Sequence, residues 1–307
     1  MKKTINIENR LVGKDQPCFI IGEIGSNHNR DKDTVFKLID ACSDAGFDAV
    51  KFQIYDAEEA FTKNEMTTDV KLDHIYGTKP WWEVARDVIL MPREWFGEMF
   101  DYARSKNLIP LSAIHRKEDA DFLLQFGLSA FKIASIDLYY HQLLEKLADF
   151  KKPMLISTGM AYMHEIAETM DFLSEKQLDE IILLHCVSLY PPNPGQMNMN
   201  NISTFKKIFD IPIGFSDHST GSIGAVIAVT LGAKVIEKHI TLDKNYPGPD
   251  HPFSLEPYEM KNLANAIREA ENSLGSYKKS VSSDEKEARI MIRRSIVAKK
   301  IIKKGDI

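Results

Sequence analysis

Apolar residues follow two rhythms along this chain. Short, near-continuous runs alternate with longer segments of helical spacing. The runs are Cys18–Glu23, Ala49–Ile54, Ile109–Ala113, Ala130–Ser135, Pro153–Thr158, Ile181–Cys186, Pro212–Asp217 and Val235–Ile240. Such brief continuous runs predict strands covered on both faces. Between the first two, Val35, Leu38, Ile39 and Cys42 take the i, i+3, i+4, i+7 spacing of one helix face within Thr34–Ala45. Similar periodicity marks Glu94–Lys106, Glu118–Phe126, Leu138–Asp149, Met163–Leu173, Ile202–Phe209, Ser222–Leu231 and Glu259–Leu274. Strand–helix alternation repeated eight times predicts a parallel sheet closed into a (β/α)8 TIM barrel. A doubly wound open sheet is the alternative.

Two connections are long. Tyr55–Leu108 contains Trp81, Trp82 and Trp95, which are expected to pack it onto the barrel, although long insertions are also lids or binding loops. Thr241–Pro257 carries the stiff stretch Pro247-Gly-Pro-Asp-His-Pro252. The barrel is expected to span 1–275, followed by a short C-terminal extension, 276–307. Within it, the polar run Ser276–Glu287 reads as a linker and Arg294–Ile307 as the start of a further β-unit.

Composition narrows the class. Of 307 residues, 44% are hydrophobic and 27% charged, enough for a sizeable core and unlike a disordered chain. Lys and Arg total 39 against 44 Asp and Glu, a net charge of −5, so no basic excess advertises nucleic acid or an anionic membrane. The longest apolar run, Ile223–Ala233, is short of the ~20 residues of a membrane span. The polar residues after Met1 contain no signal-peptide core. Cys18, Cys42 and Cys186 are odd in number and widely spaced, which predicts free thiols in a reducing cytoplasm.

Barrels of this kind carry their chemistry at the carboxyl ends of the strands, and those ends are polar here. Glu23 closes the first run, ahead of Gly25-Ser-Asn-His-Asn29. Lys51 and Gln53, two apart, share a face of the second. Lys132, Ser135 and Asp137 mark the fourth, and Ser157-Thr-Gly159 the fifth. His185-Cys186, with Ser188 and Tyr190 beyond, ends the sixth. Ser216-Asp217-His218 ends the seventh, and Glu237 and His239 share a face of the eighth. Singly, each has a structural explanation: a strand lysine as half of a salt bridge, a histidine as hydrogen-bonded scaffolding. Together they say more. Two interior lysines are costly unless an anion or carboxylate partners them. His218 and His239, on consecutive strands, suit one divalent metal, with Asp217 and Glu237 supporting them. Ser135, Ser157 and Ser216 offer hydroxyls to phosphate oxygens. The reading is an anionic, phosphorylated substrate beside a metal. No P-loop, CxxC pair or Gly-x-Ser-x-Gly elbow offers a competing mechanism.

Seven short motifs then follow in order. They are Ile21-Gly-Glu-Ile-Gly-Ser-Asn-His28, Asp48-Ala-Val-Lys-Phe-Gln53, Phe131-Lys-Ile-Ala-Ser135, Ser157-Thr-Gly-Met160, Gly214-Phe-Ser-Asp-His218, Glu237-Lys-His239 and Pro247-Gly-Pro-Asp250. The ordered set resembles the N-acetylneuraminate (sialic acid) synthase family, with its legionaminate and pseudaminate synthases. The resemblance implies a (β/α)8 barrel that condenses phosphoenolpyruvate with the open aldehyde of an N-acetylated amino sugar, N-acetylmannosamine or a 2,4-diacetamido hexose. The product is a nine-carbon 2-keto acid plus phosphate. It further implies Mn²⁺ or Mg²⁺ held by His218 and His239, acting as a Lewis acid. Lys51, Lys132, Ser135, Ser157 and Ser216 would hold phosphoenolpyruvate, and Glu23, Gln53, Asp137, Tyr190 and Asp250 the sugar, with Glu237 also in contact with substrate. Glu23 is the candidate for proton transfer, so the implied catalytic set is Glu23, His218 and His239. A homodimer is implied as well.

The chain departs from the family in places. Ser112-Ala-Ile-His115 replaces a Ser-Thr-Pro-Phe-like run, so Ala113 stands where a hydroxyl would touch phosphate. His115 either compensates with a nitrogen donor or is a surface residue of a loop. Val187-Ser188 stands where the family often has Asn or Ser-Thr, and Asp137 is shorter than the usual sugar-contacting Glu. The family continues past a segment like Arg294–Ile307 into an antifreeze-like domain that caps the partner's site; without that cap, weaker sugar binding is expected. Two other readings stand beside the synthase. One is a different phosphoenolpyruvate-dependent 3-deoxy keto-acid synthase acting on a phosphosugar. The other is a non-catalytic barrel.

Overall fold

The computed structural model describes residues 1–306. The chain opens with an antiparallel hairpin, β1 (Thr4–Ile7) and β2 (Arg10–Gly13). Eight parallel strands follow: β3 (Phe19–Glu23), β4 (Ala49–Gln53), β5 (Ile109–Ala113), β6 (Phe131–Ile133), β7 (Met154–Ser157), β8 (Ile181–Cys186), β9 (Ile213–Asp217) and β10 (Val235–His239). They close in sequence order, β10 pairing with β3, so the predicted barrel forms and the open sheet does not.

Alternation along the strands sorts side chains into two cores. Outward residues such as Ile20, Val50, Ile133 and Ile236 pack against the surrounding helices. The helix Lys32–Ala45 shows how. Asp31 caps its start by accepting from the Asp33 N–H, and Gly46, at φ 83°, ends it. Its buried face is the predicted Val35, Leu38, Ile39 and Cys42. Inward residues at the amino ends of the strands, among them Phe19, Ile21, Ala49, Leu111 and Val235, fill the barrel's lower interior.

The hairpin, absent from the sequence reading, seals that end with Ile5, Ile7 and Val12. At about 1.5–3 kcal/mol per buried aliphatic side chain, these residues anchor strands too short to persist alone. Polar Asn6, Glu8 and Arg10 mask the hairpin's pattern. Its turn places Glu8 and Asn9 at φ 45° and 68°, the twist a two-residue hairpin loop needs.

In the long connection, Trp81 meets Phe61 edge-on, Trp82 lies under Lys63 and Arg86, and Trp95 packs against the core, as expected for packing residues. No helix among the described residues is long and apolar enough to cross a membrane. The chain divides into two compact units, Met1–Ser273 and Leu274–Ile307. In the second, part of the expected linker is helical: Ser283–Ile292, capped reciprocally by Ser282 and Glu285. The expected β-unit does not appear between Arg294 and Asp306, and Ile307 lies outside the described residues.

Candidate active site

Strand alternation that buries apolar side chains at one end of the barrel puts polar ones in register at the other. Glu23, Lys51, Lys132, Ser157, Ser216, Glu237 and His239 are all nearly or fully buried there. The strand register sets Glu23 beside Lys51 and Glu237 beside Ser216.

The two interior lysines have the carboxylate partners that burial demands. Lys51 Nζ lies 3.0 Å from Glu23 Oε2 and 3.5 Å from Glu237 Oε2. Lys132 Nζ donates to Ser157 Oγ at 2.7 Å and lies 3.8 Å from Glu237 Oε1, which also accepts from Ser216 Oγ at 2.8 Å. Glu23 Oε1 accepts from Gln53 Nε2 at 2.6 Å. Glu237 is thus the hub of the cluster.

Burial pushes the Glu23 carboxyl up to about 7 despite the attraction of Lys51. Burial works the same way on Glu237, but Lys132 and Lys51 outweigh it and hold that carboxyl below its usual range. Burial also lowers Lys132, more than Glu237 restores. For Lys51, burial is outweighed by Glu23 and Glu237, and the ammonium is strengthened. Two adjacent carboxyls are therefore driven apart, the usual arrangement for dividing acid and base tasks.

Beside this cluster stand His218 and His239, ring centroids 5.4 Å apart. His218 Nδ1 lies 3.0 Å from the Val187 carbonyl, which can only accept, so Nδ1 donates and Nε2 is free to ligate. His239 is held neutral, its pKa driven well below the usual value by burial and then by His218, and its buried Nδ1 has no hydrogen-bond partner. A neutral imidazole with an unpartnered nitrogen, as His239 presents, fits a divalent cation. Among the described residues no three His, Cys, Asp or Glu side chains converge for a metal.

The remaining expected residues line the same end. Asp250 accepts from Ser26 Oγ at 3.1 Å, and its Oδ2 lies 3.6 Å from His239 Nδ1. The Tyr190 ring, 56% exposed, stands 4.2 Å from that of His218. Ser135 Oγ accepts from the Gly159 N–H at 2.9 Å. His185, by contrast, faces outward, bonded to the Met197 carbonyl and stacked on Phe215. Asp137 is engaged by His115 at 2.6 Å, and the His115 side chain is only 9% exposed, so it is not the surface residue one reading allowed.

Two residues outside the expected set shape the site. Cys186 Sγ approaches His218 Nδ1 at 3.9 Å; its strand position pointed inward, but a small apolar thiol gave no sign of a role. Gly25 has φ 52°, and a Cβ there would meet Glu23 Oε1 at 3.3 Å, Asp250 Oδ2 at 3.4 Å and Gln53 Nε2 at 3.5 Å. Gly25→Ala is therefore expected to lose about 1–2 kcal/mol from left-handed strain and to weaken sugar binding as Glu23 and Gln53 shift. Thermal melting and the sugar KM check this; an unchanged KM would show that the cluster tolerates displacement.

A comparison with known families then places the chain: the NeuB family profile matches residues 38–279. The chain belongs to the NeuB family. It is 35% identical to the N,N'-diacetyllegionaminic acid synthase of Legionella pneumophila, covering 95% of this chain and 83% of that one. It is 36% identical to the pseudaminic acid synthase of Campylobacter jejuni, covering 95% and 85%. The crystal structure of the N-acetylneuraminic acid (sialic acid) synthetase of Leptospira borgpetersenii, in complex with citrate, superposes with a TM-score of 0.82 at 32% identity, over 96% of this chain and 99% of that one. Members of the NeuB family are phosphoenolpyruvate-utilising synthases of the sialic acid type, so the chain is an enzyme of that class.

Proposed function

We propose that this NeuB enzyme condenses phosphoenolpyruvate with an N-acetylated amino sugar, N-acetylmannosamine or a 2,4-diacetamido hexose, in its open aldehyde form. The observation that carries this reading is one buried layer holding two lysines, two unequal carboxyls and the Ser157 and Ser216 hydroxyls beside the His218–His239 pair. Lys51 and Lys132 neutralise the phosphate and carboxylate of phosphoenolpyruvate, with Ser135, Ser157 and Ser216 supplying hydrogen bonds. Glu237 contacts the bound phosphoenolpyruvate and keeps both ammonium groups in place. Gln53, Asp137, Tyr190 and Asp250 orient the sugar.

Carbon 3 of phosphoenolpyruvate attacks the aldehyde carbon, and positive charge develops at carbon 2. The Glu23 carboxylate stabilises that charge and takes the proton from water as it adds to carbon 2. The tetrahedral adduct then expels phosphate, leaving the keto group. NeuB synthases are metal-dependent as a class; Mn²⁺ or Mg²⁺, when bound by His218 and His239, supplies Lewis-acid polarisation of the aldehyde. The free, buried Cys18, Cys42 and Cys186 support a reducing, cytoplasmic setting.

A pH effect follows from Glu23. Its carboxyl, pushed up to about 7, is mostly ionised at pH 8 in the free enzyme. Phosphoenolpyruvate, fully ionised at that pH, brings further negative charge beside it and raises its pKa again. Binding is therefore expected to take up protons at pH 8, and less so in Glu23→Gln. Calorimetry in two buffers of different ionisation enthalpy measures this; equal uptake by both proteins would remove Glu23 from the account.

The substrate class is tested by phosphate release from phosphoenolpyruvate with Mn²⁺ and three acceptors: N-acetylmannosamine, a 2,4-diacetamido hexose and a phosphorylated pentose. Release that requires an acetamido sugar is expected. Release with the phosphopentose alone would overturn the proposal.

A further inference from the structure

His115, paired with Asp137, has no assigned task in the chemistry above, and its surroundings give it one. His115 lies two residues beyond Ala113, which pairs in register with Gln53 on one side and Lys132 on the other. It therefore stands at the carboxyl face of the barrel, between a sugar-side and a phosphoenolpyruvate-side residue. Its Nδ1 is 2.6 Å from Asp137 Oδ2. The Tyr55 ring stacks on the imidazole, centroids 4.0 Å apart and 16° from parallel. Burial first, and then the negative charges of Asp137, Glu23 and Asp250, push the Tyr55 hydroxyl's pKa up, as expected beside the carboxylates of the site.

The bonding fixes which nitrogen is available. Asp137, as a carboxylate, can only accept, so His115 Nδ1 carries the proton and donates. In the neutral ring Nε2 is then a lone-pair acceptor. That nitrogen is buried and has no partner within the protein. An orphaned acceptor in a site wall, held rigid by a carboxylate on one edge and an aromatic face above, is preorganised to receive a donor from a ligand. Phosphoenolpyruvate, fully ionised at pH 8, has no N–H or O–H to give. The acceptor sugar has both.

We propose that His115, oriented by Asp137 and clamped by Tyr55, is a specificity-determining residue that accepts a hydrogen bond from a hydroxyl or acetamido N–H of the acceptor sugar. This rests on the synthase reading above and assigns Asp137 an indirect part in sugar recognition, as the positioning residue for the imidazole.

The test is steady-state kinetics of phosphate release at pH 8, with N-acetylmannosamine and with a 2,4-diacetamido hexose, on two variants. His115→Phe keeps an aromatic ring under Tyr55 but removes both nitrogens. His115→Gln loses the fit to Asp137 but can still present an amide oxygen near the Nε2 position. His115→Phe is expected to raise the KM of the preferred sugar at least tenfold and leave the KM of phosphoenolpyruvate within twofold. His115→Gln is expected to fall between it and the wild type. A sugar KM raised less than tenfold in a folded His115→Phe, or a rise shared equally by both substrates, would overturn the inference. If His115→Phe does not fold, His115→Gln decides alone: a threefold or greater selective rise in the sugar KM sustains the inference, and anything less overturns it. Failure of the synthase reading is distinct, since the wild type would then release no phosphate with any acetamido sugar.

Discussion

Lys238→Met is expected to destabilise the barrel by about 3–5 kcal/mol, the largest stability effect the structure carries. Lys238 and Asp217 are both fully buried, on the outward faces of β10 and β9, with Nζ 3.0 Å from Oδ2. Lys238 Nζ also donates to the Ser219 carbonyl, and Asp217 Oδ1 accepts from the Ser219 N–H at 2.8 Å and its hydroxyl at 2.6 Å. Methionine fills much of the lysine's volume but strands the Asp217 charge in the interior. Replacing both, Asp217→Leu with Lys238→Met, removes the stranded charge and is expected to recover most of the loss. Urea unfolding of the three variants measures it. A loss below about 1 kcal/mol in Lys238→Met would show that Asp217 is satisfied by Ser219 alone. The pair flanks His218 and His239 directly in sequence, so the unfolding data also report what holds the two histidine-bearing strand ends together.

The largest effect on activity is expected at those histidines. His218→Ala and His239→Ala should each lower kcat/KM for condensation at least a thousandfold, about 4 kcal/mol of transition-state stabilisation. The double variant should be little worse than either single one, because groups that act as a unit are lost together. His239 Nδ1 makes no internal hydrogen bond, so the melting temperature of His239→Ala should hold, while His218→Ala gives up the bond to the Val187 carbonyl, about 1 kcal/mol. Phosphate release measured against rising Mn²⁺ is the check. Activity within tenfold of wild type at saturating metal would contradict the role given to the pair.

How far the sequence carried this picture differs from element to element. Ile109–Ala113 and Ile181–Cys186 form with the expected bounds. Ala130–Ser135 shortens to Phe131–Ile133 because Ser135 starts a tight turn whose first hydroxyl accepts from Gly159, a contact between segments that no local pattern encodes. Period-two spacing put Lys51 with Gln53 and Glu237 with His239 on inward faces, and burial costs required carboxylates near the lysines. That these would be Glu23 and Glu237 depends on barrel closure, which brings the last strand beside the first. The pairing of His115 with Asp137 was hidden as well, because it joins the segments that follow the neighbouring strands β5 and β6, a contact no local pattern encodes. Two departures from the family pattern, at His115 and Asp137, touch each other.

The most direct test of the central claim is the mass of the product formed from phosphoenolpyruvate and an acetamido hexose in the presence of Mn²⁺. A nine-carbon 2-keto acid, appearing in step with phosphate and lost when the metal is chelated, is the result the site predicts. Phosphate released without a new carbon–carbon bond, leaving pyruvate and unchanged sugar, would contradict it.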